Sequence, residues 1–291
     1  MSLTLSSESF ISPAVSRREF LKVGGIALAG GLVTSVAFLY LNDESSQPVI
    51  DHVAIPINNL PEALEGFTIV QLTDIHLYPL TQPETVRRAV ELANSLDPDV
   101  TVLTGDYVWR ELDAIGELAP ILSRLNAHHG VYVTLGNHDY WTNAAVIKQA
   151  FEKERLPVLV NQGVPLSQGS NTVFLGGLDD GWSGHPDLER TLEGAYPGDV
   201  VMLLCHEPDL ADRYHKDGRI ALQLSGHTHA GQIRLPGIGA VVHPYLGKKY
   251  EMGLYRVGAM WLYTNRGIGC ISEPVRFNCP PEVTEFTLVR V

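Results

Sequence analysis

Asparagine, aspartate and histidine residues that could bind a metal ion stand at the ends of apolar segments in this sequence. Residues 130–135 alternate β-branched and other apolar side chains and lead into Gly136-Asn137-His138-Asp139. This pattern predicts a buried strand that ends in a tight turn. Asn-His-Asp is also typical of a turn that hydrogen-bonds its own backbone, so the motif alone leaves a structural and a chemical interpretation open.

Four other apolar segments, residues 67–73, 100–104, 200–205 and 220–225, end in the same way. The residues that follow them are, in order, Asp74 and His76, Asp106, His206, and His227 with His229. In an extended chain, side chains two residues apart point the same way, so each Asp-x-His or His-x-His pair is expected to face one point.

The combined set of side chains has a definite metal preference. It is too mixed for a calcium or magnesium cage and contains no thiolate, whereas imidazole with carboxylate suits Mn, Fe, Co or Zn. The expected ligands are too many for one such ion: Asp74, His76, Asp106, Asn137, His206, His227 and His229. Two divalent transition-metal ions bridged by one carboxylate account for them, and such pairs clamp a displacement at phosphorus. A shared water, its pKa lowered towards neutrality, would be the nucleophile.

The intervening segments predict the elements that position these residues. Thr81 and Glu84 have capping-box spacing ahead of an apolar helical stripe that ends before Pro98. Further helices are expected at residues 115–125 and 143–154. Strands that alternate with helices form a parallel sheet, whose sites lie beyond the carboxyl ends of the strands. The polar strand ends are therefore expected to be neighbours.

The second half of the chain predicts mainly strands and turns. Short strands are expected at residues 158–161 and 172–175, a short helix at 209–216, and strands at 232–235, 260–264 and 283–291.

Composition limits the classes of function. The chain has 291 residues, 45% of them hydrophobic and 19% charged, which fits one large α/β domain, expected at residues 46–291. Lys and Arg number 21 against 33 Asp and Glu, and no basic run is interleaved with aromatic residues, which excludes a basic nucleic-acid-binding face. With a net charge of −12, the positive charge for an anionic substrate would have to come from metal ions.

Residues 1–45 predict an export signal or membrane anchor followed by a linker. Arg17 and Arg18 precede an apolar run from Val23 to Leu41, a pattern that resembles a twin-arginine signal read by the export machinery. A plain signal anchor is the alternative. Residues 35–37, Ser-Val-Ala, fit a cleavage site, so cleaved and anchored forms both remain open. Either form predicts a protein in the periplasm or anchored to the outer face of the cytoplasmic membrane.

Three cysteines are too few for a disulfide framework. Cys205 lies in an apolar run and is expected to pack. Whether Cys270 and Cys279 form a bridge is left open, because sequence spacing does not show whether their Cβ atoms face each other.

The ordered blocks D-x-H, G-D, G-N-H-D, a lone H and G-H-T-H resemble the calcineurin-like metallophosphoesterases from about residue 67 onwards. The resemblance implies a four-layer αββα sandwich with a dinuclear metal site at the strand ends. By position, the first metal would be held by Asp74, His76, Asp106 and His229, and the second by Asp106, Asn137, His206 and His227. His138 would donate a proton to the leaving oxygen or stabilise charge at phosphorus, and Asp139 would orient it.

Departures from one branch of the family refine the expected function. Protein Ser/Thr phosphatases carry G-D-x-x-D-R-G, but Trp109 and Glu111 replace the second Asp and the last Gly here, while Arg110 matches the arginine. Arg110 is either a phosphate-binding residue or a solvated loop charge. The stretch Arg-Phe-Asn-Cys-Pro-Pro-Glu at 276–282 resembles bacterial exported or membrane-associated phosphodiesterases.

We therefore expect a metal-dependent phosphodiesterase acting on a small-molecule or lipid phosphoester. The alternatives are a pyrophosphohydrolase of a lipid-linked nucleotide of the UDP-diacylglucosamine type, and a catalytically silent module that binds metal or phosphate. Residues that could contact substrate at the rim, or could be ordinary surface or packing residues, are Tyr107, Tyr140, Trp141, His185, Lys248, Lys249, Tyr250 and Arg266.

Overall fold

The computed structural model describes residues 38–240 and 242–291, and its contacts divide the chain into two units after Asn42, the second being Asp43–Val291. In the first unit, residues 38–41 form a helical turn. The twin-arginine motif, the cleavage site and the apolar run up to residue 37 lie outside the described residues. Among the residues described, no helix is both long and apolar enough to cross a membrane.

One sheet of the second unit contains five strands in the order β1-β13-β2-β3-β4. Their bounds are β1 Val49–Ile57, β2 Thr68–Leu72, β3 Val100–Thr104, β4 Val131–Thr134 and β13 Glu282–Arg290. β2, β3 and β4 are parallel, as the alternation of strands and helices predicts. β13 runs antiparallel to β2 and parallel to β1.

The other large sheet contains six strands in the order β11-β12-β8-β7-β6-β5. Their bounds are β5 Gln162–Gln168, β6 Asn171–Gly177, β7 Val200–Leu204, β8 Ile220–Ser225, β11 Gly253–Val257 and β12 Met260–Thr264. The four central strands are parallel, and the two edge strands are antiparallel to their neighbours. Arg234–Leu235 (β9) and Gly239–Ala240 (β10) form a small hairpin.

Three apolar cores separate four layers. The first lies between the five-stranded sheet and three helices, α1 Pro83–Ser95, α2 Ile115–Leu122 and α4 Ala144–Lys153. The second lies between the two sheets, where Val102 and Phe286 belong to the same cluster as Met202 and Leu224. The third lies between the six-stranded sheet and two short helices, α5 Leu188–Thr191 and α6 Ala211–Tyr214. The four-layer αββα sandwich is confirmed.

Gln71 links the two sheets at the carboxyl ends of their strands. Its side-chain amide is fully buried and donates to Thr104 Oγ1 at 2.8 Å and to the Ser225 carbonyl at 3.0 Å. Thr104 ends β3 in one sheet, and Ser225 ends β8 in the other. The polar residues that follow these strands are therefore brought to a common edge.

Several expected elements differ from the structure. Residues 158–161 form no strand: Val158 makes an isolated bridge to Val133, and the strand comes later, at Gln162–Gln168. The helix expected at 209–216 is broken into Ala211–Tyr214 between two 3-10 turns. The strand expected at 232–235 shortens to Arg234–Leu235. β1 and β11 were not predicted, because their alternation is interrupted by polar and charged residues.

The expected capping box at α1 is wrong. The helix begins at Pro83 after Gln82, whose side chain makes no capping hydrogen bond. Thr81 Oγ1 instead accepts from the backbone N–H of Cys270 at 3.0 Å. A proline in the first turn needs no N–H partner, so α1 can start there without a side-chain cap.

Candidate metal centre

The residues after β2, β3, β7 and β8 lie within one cluster. Three groups of ligand atoms each fall within 4.8 Å of one another: Asp74, His76 and His229; His76, Asp106 and His138; and Asp106, His206 and His227. His76 and Asp106 each belong to two of the groups, so the three groups form one continuous set. The structure therefore brings together the Asp and His residues that the sequence singled out.

Asp106 is central to this set. Its Oδ2 lies 3.2 Å from His206 Nε2 and 3.5 Å from His76 Nε2. On the other side of His76, His229 Nε2 lies 3.1 Å from His76 Nε2 and 3.3 Å from Asp74 Oδ1. Asp106 is therefore adjacent to both halves of the ligand set.

Left-handed backbone conformation, and not the expected extended chain, directs these side chains. Positive φ angles occur at Asp74 (50°), His76 (45°), Asp106 (59°), His227 (73°) and His229 (48°). The argument from strand alternation is therefore wrong for both the Asp-x-His and the His-x-His pair, although the side chains do converge. For residues with a Cβ atom this conformation costs roughly 1–2 kcal/mol each, so the surrounding structure must hold them in place.

Asn137 and His138 follow β4 at the start of a short helix, α3, Asn137–Thr142, instead of in a simple turn. Asn137 is buried, and its Oδ1 has no hydrogen-bond partner among the described residues. His206 Nε2 is also buried and, apart from its contact of 3.2 Å with Asp106 Oδ2, has no such partner. An unpaired buried polar atom costs about 1–3 kcal/mol. These unpaired oxygen and nitrogen atoms fit a site that binds cations.

The outer ring nitrogens of His206 and His227 are held by backbone carbonyls. His206 Nδ1 lies 2.7 Å from the Thr104 carbonyl, and His227 Nε2 lies 2.7 Å from the Tyr245 carbonyl. An imidazole N–H that donates to a carbonyl leaves the other nitrogen as a lone pair for a metal. His206 thus presents Nε2 to the cluster, and His227 presents Nδ1.

Burial sets the protonation of most of these groups. It lowers the pKa of His76 and of His227 to about 3, so both are neutral, which is the form that binds metals. Burial raises the pKa of Asp74 to about 6. His206 and Asp106 differ, because their mutual attraction overcomes burial, raising the pKa of the histidine and lowering that of the carboxyl group.

His138 lies beside the cluster and is less buried than the expected ligands. Its ring centroid is 4.8 Å from that of His76 and 4.5 Å from that of Trp109, with which it stacks at 27°. Its backbone N–H donates to Asp106 Oδ1 at 2.8 Å. The imidazole is thus held at the edge of the cluster, next to Asp106.

Asp139 contacts backbone N–H groups, not the His138 ring that it was expected to orient. Its carboxylate oxygens accept from the N–H groups of Asp106, Tyr107 and Gly136, each at 2.9 Å. Burial raises its pKa to about 8, with Asp106 adding to the effect and the backbone donors opposing it. Asp139 therefore shapes the loop that carries Asp106.

Most of the expected rim residues have structural partners. Tyr107 is fully buried and donates to the Thr134 carbonyl at 2.8 Å, so of the two interpretations left open it is a packing residue. Tyr140 donates to Asp179, and Lys249 and Tyr250 both donate to Asp212. Arg266 forms salt bridges with Asp51 and Glu282. Lys248 is exposed, and His185 lines a separate cavity with Arg213 and Tyr214.

Trp141 does lie at the rim, where it is 53% exposed and 4.6 Å from the His138 ring. Trp182 and Tyr245 extend the same row of aromatic side chains, with ring centroids 4.8 Å apart for Trp141 and Trp182 and 5.3 Å apart for Trp182 and Tyr245. Sequence reasoning did not group these residues, since they belong to three segments that are distant in sequence, α3 for Trp141 and two loops for Trp182 and Tyr245.

Arg276 is the main residue near the site that sequence reasoning missed. It is fully buried, and its Nη2 lies 3.3 Å from His229 Nδ1. The same guanidinium donates to the carbonyls of Arg266 at 2.9 Å, Gly269 at 2.5 Å and Cys279 at 3.2 Å. A buried charge next to a predicted ligand could not be read from the motif at 276–282 alone.

Cys205, Cys270 and Cys279 are free and buried, so Cys270 and Cys279 form no bridge.

The family model of the calcineurin-like phosphoesterases matches residues 67–231, which include every residue of the cluster. The chain belongs to this family. It is therefore a metal-dependent hydrolase that acts on phosphoester bonds.

Three relatives of this calcineurin-like phosphoesterase illustrate its similarities. YkuE of Bacillus subtilis, an uncharacterized metallophosphoesterase, is 36% identical over 285 residues, covering 94% of this chain and 98% of its own. The phosphodiesterase YaeI of Escherichia coli is 29% identical over 281 residues, covering 94% and 100%. A transmembrane protein with a metallophosphoesterase domain from Danio rerio is 32% identical over 273 residues, covering 88% of this chain and 61% of its own.

Proposed function

We propose that this protein is a phosphodiesterase that uses two divalent transition-metal ions, chosen from Mn, Fe, Zn and Co. The observation that supports a pair of ions is the position of Asp106 Oδ2, within 3.5 Å of both His76 and His206. A single carboxylate adjacent to two groups of histidines is what a bridging ligand requires. The replacement of an expected Asp by Trp109 argues against a protein phosphatase, and the relative YaeI is named a phosphodiesterase.

The ligand sets follow from the cluster. Asp74, His76, Asp106 and His229 would hold one ion, and Asp106, Asn137, His206 and His227 the other. Bound there, the ions would attract the phosphate group and lower the pKa of water so that it becomes a nucleophile near neutral pH. With only Asp74 and Asp106 as carboxylates, the loaded cluster would be net positive.

His138 has the second role in the proposed reaction. Its backbone N–H is held by Asp106 and its ring by the stack on Trp109, and the ring lies at the edge of the cluster, beside His76 and Asp106. In this position the imidazole can donate a proton to the leaving oxygen or stabilise the charge that develops at phosphorus.

Hydrolysis of a generic diester tests the proposal. Full-length protein that has been stripped of metal and reloaded with Mn²⁺ is expected to release p-nitrophenol from bis-p-nitrophenyl phosphate, and more slowly from p-nitrophenyl phosphate. Metal analysis must accompany the assay. A fully loaded protein that hydrolyses neither compound would overturn the proposal and favour the silent metal- or phosphate-binding module.

The proposal includes a location outside the cytoplasm, in the periplasm or anchored to the outer face of the cytoplasmic membrane. Its support is the pair Arg17 and Arg18 ahead of an apolar run, together with relatives that are named transmembrane proteins. Green fluorescent protein fused after Val291 is expected to fluoresce outside the cytoplasm, because the twin-arginine machinery exports folded proteins. Replacement of both arginines by lysine should abolish this export.

The same fusion discriminates between the two enzymatic alternatives. Nucleotide-activated lipid precursors are expected in the cytoplasm, so a reporter retained on the cytoplasmic side would favour the pyrophosphohydrolase of a lipid-linked nucleotide. A substrate screen of the metal-loaded protein, from nucleotides to phospholipids, would then identify the phosphoester.

A further inference from the structure

A cavity of about 510 Å³ opens beside His138. Its walls are formed by Trp109, Arg110, Leu112, His138, Trp141 and Thr142, and none of the expected metal ligands lines it. His138 is the one residue of the proposed reaction that reaches this cavity. We refer to it below as the His138 cavity.

His138 contacts both the metal cluster and the walls of the His138 cavity. Its ring is 4.8 Å from the ring of His76, 4.5 Å from that of Trp109 and 4.6 Å from that of Trp141, and Trp109 itself lies 5.4 Å from His76. The Trp109 ring is nearly parallel to the imidazole, at 27°, whereas Trp141 meets it at 62°. An alcohol that leaves phosphorus on the side of His138 therefore enters a cavity bounded by two indole rings.

Arg110 supplies positive charge to the same cavity. Its guanidinium carbon lies 5.2 Å from the centroid of the Trp109 ring, and the side chain is exposed. Arg110 forms no salt bridge with any residue in the described part of the chain. Its five N–H donors are therefore available to a carboxylate or phosphate.

We propose that the His138 cavity binds the leaving group of the phosphodiester and selects an aromatic alcohol that carries a negative charge of its own. This inference rests on the proposed function, because it takes the leaving oxygen to lie next to His138. A planar ring can pack against the indoles of Trp109 and Trp141, and its anionic substituent can pair with Arg110.

The bond changes define which part of the substrate the cavity holds. A water that has given one proton to solvent adds to phosphorus as hydroxide, and the bond from phosphorus to the leaving oxygen breaks with its electron pair. That oxygen takes a proton from His138, which regains one from solvent. The released alcohol is the group in the His138 cavity, and the remaining monoester stays at the metal cluster.

Three methyl phosphodiesters test the inference, since they share one retained group and differ in the leaving alcohol. The alcohols are phenol, 4-hydroxybenzoate, which adds a carboxylate, and hexafluoroisopropanol, an aliphatic alcohol of acidity close to that of phenol. Wild-type protein loaded with Mn²⁺ is expected to show the highest kcat/KM for the 4-carboxyphenyl ester and the lowest for the aliphatic ester. 4-Hydroxybenzoate is expected to inhibit as a product.

Two variants separate the contributions of the ring and the charge. Trp141→Leu is expected to lower kcat/KM for both aryl esters about tenfold and to change that of the aliphatic ester less than about twofold, as loss of an aromatic contact predicts. Arg110→Gln is expected to lower kcat/KM about tenfold for the 4-carboxyphenyl ester alone and to weaken inhibition by 4-hydroxybenzoate. Tyr196→Leu, an exposed aromatic that precedes β7 at the end away from His206, is the control and should change none of these values.

The outcomes distinguish this inference from the proposed function. If wild-type protein hydrolyses the three esters but prefers the aliphatic one, or if each variant lowers all three rates equally, the cavity does not select the leaving group. If metal-loaded wild-type protein hydrolyses none of the three, nor bis-p-nitrophenyl phosphate, the proposed function itself is wrong.

Discussion

Asp139 and Asp106 belong to two strand ends that hold each other in place. Asp139 Oδ2 accepts from the backbone N–H of Asp106 at 2.9 Å, and Asp106 Oδ1 accepts from the backbone N–H of His138 at 2.8 Å. Asp106 has a left-handed backbone conformation, with φ of 59°. One of the two hydrogen bonds holds its backbone N–H and the other holds its carboxylate. The position of the proposed bridging carboxylate therefore depends on a carboxylate that is not itself an expected ligand.

Removal of this support should destabilise the protein and the metal site together. Asp139→Ala leaves the N–H groups of Asp106, Tyr107 and Gly136 without their partner, and we expect the free energy of unfolding in urea to fall by about 3 kcal/mol or more. Asp113→Ala, at an exposed position, is the control and should change it by less than about 0.5 kcal/mol. Equal effects of the two substitutions would show that the Asp139 hydrogen bonds contribute little.

The division of roles between Asp106 and His138 gives a second prediction. Asp106→Ala should lose bound metal, because its carboxylate adjoins both groups of histidines. His138→Ala should retain both metals and lose about 10²- to 10⁴-fold in kcat for bis-p-nitrophenyl phosphate. Metal content is measured by elemental analysis of dialysed protein. A full metal complement in Asp106→Ala would refute its assignment as the bridging ligand.

A third prediction concerns the space next to Asp106. A Cβ atom at Gly136 would overlap Asp106 Oδ1 and come within 2.8 Å of both the Asp106 nitrogen and His206 Nε2. Gly136→Ala should therefore lower the free energy of unfolding by about 1–3 kcal/mol and weaken Mn²⁺ binding, measured by calorimetric titration. Gly116→Ala is the matched control, since outside its own helix backbone no described atom lies within 4 Å of the added methyl group, and in α2 it should raise stability by about 0.5–1 kcal/mol.

The fourth prediction concerns Arg276. Its planar guanidinium serves three backbone carbonyls and His229 at once, and the ammonium of a lysine cannot match that geometry. Arg276→Lys should lower the unfolding free energy by about 2–4 kcal/mol, because carbonyl groups in a buried site lose their donors. Arg124→Lys, at an exposed position, should be close to neutral in the same urea titration. A neutral Arg276→Lys variant would show that solvent or a shifted loop replaces the lost donors.

The common edge at which the site residues lie was predictable from sequence, because strand order places them there. Parallel strands that end in polar residues share one edge of the sheet, and β2, β3 and β4 pair in the order that their succession in the chain suggests. Thus Asp74 and Asp106 could be placed near one another from local patterns. In the six-stranded sheet, β7 and β8 are parallel neighbours and therefore place His206 and His227 at one edge in the same way.

The features that could not be predicted depend on long-range packing. No local pattern shows that Asp74 and His229 adopt left-handed conformations, since residues with a Cβ atom do so only when distant contacts hold them there. Gln71 looks like an ordinary polar residue within a strand, yet it joins the two sheets. Arg276 lies far from His229 in sequence, and its burial becomes evident only when both loops are in place.

The position of β13 between β1 and β2 constrains when the protein can fold during synthesis. β1 pairs along its whole length with Glu282–Arg290, and β2 pairs with the same strand through residues 284–287. Until the ribosome has released residue 290, β1 has no partner and β2 has an open edge, which is the kind of surface that invites aggregation of nascent chains. Because Asp74 directly follows β2, the strand that carries this residue has both of its neighbours only after translation has passed this point.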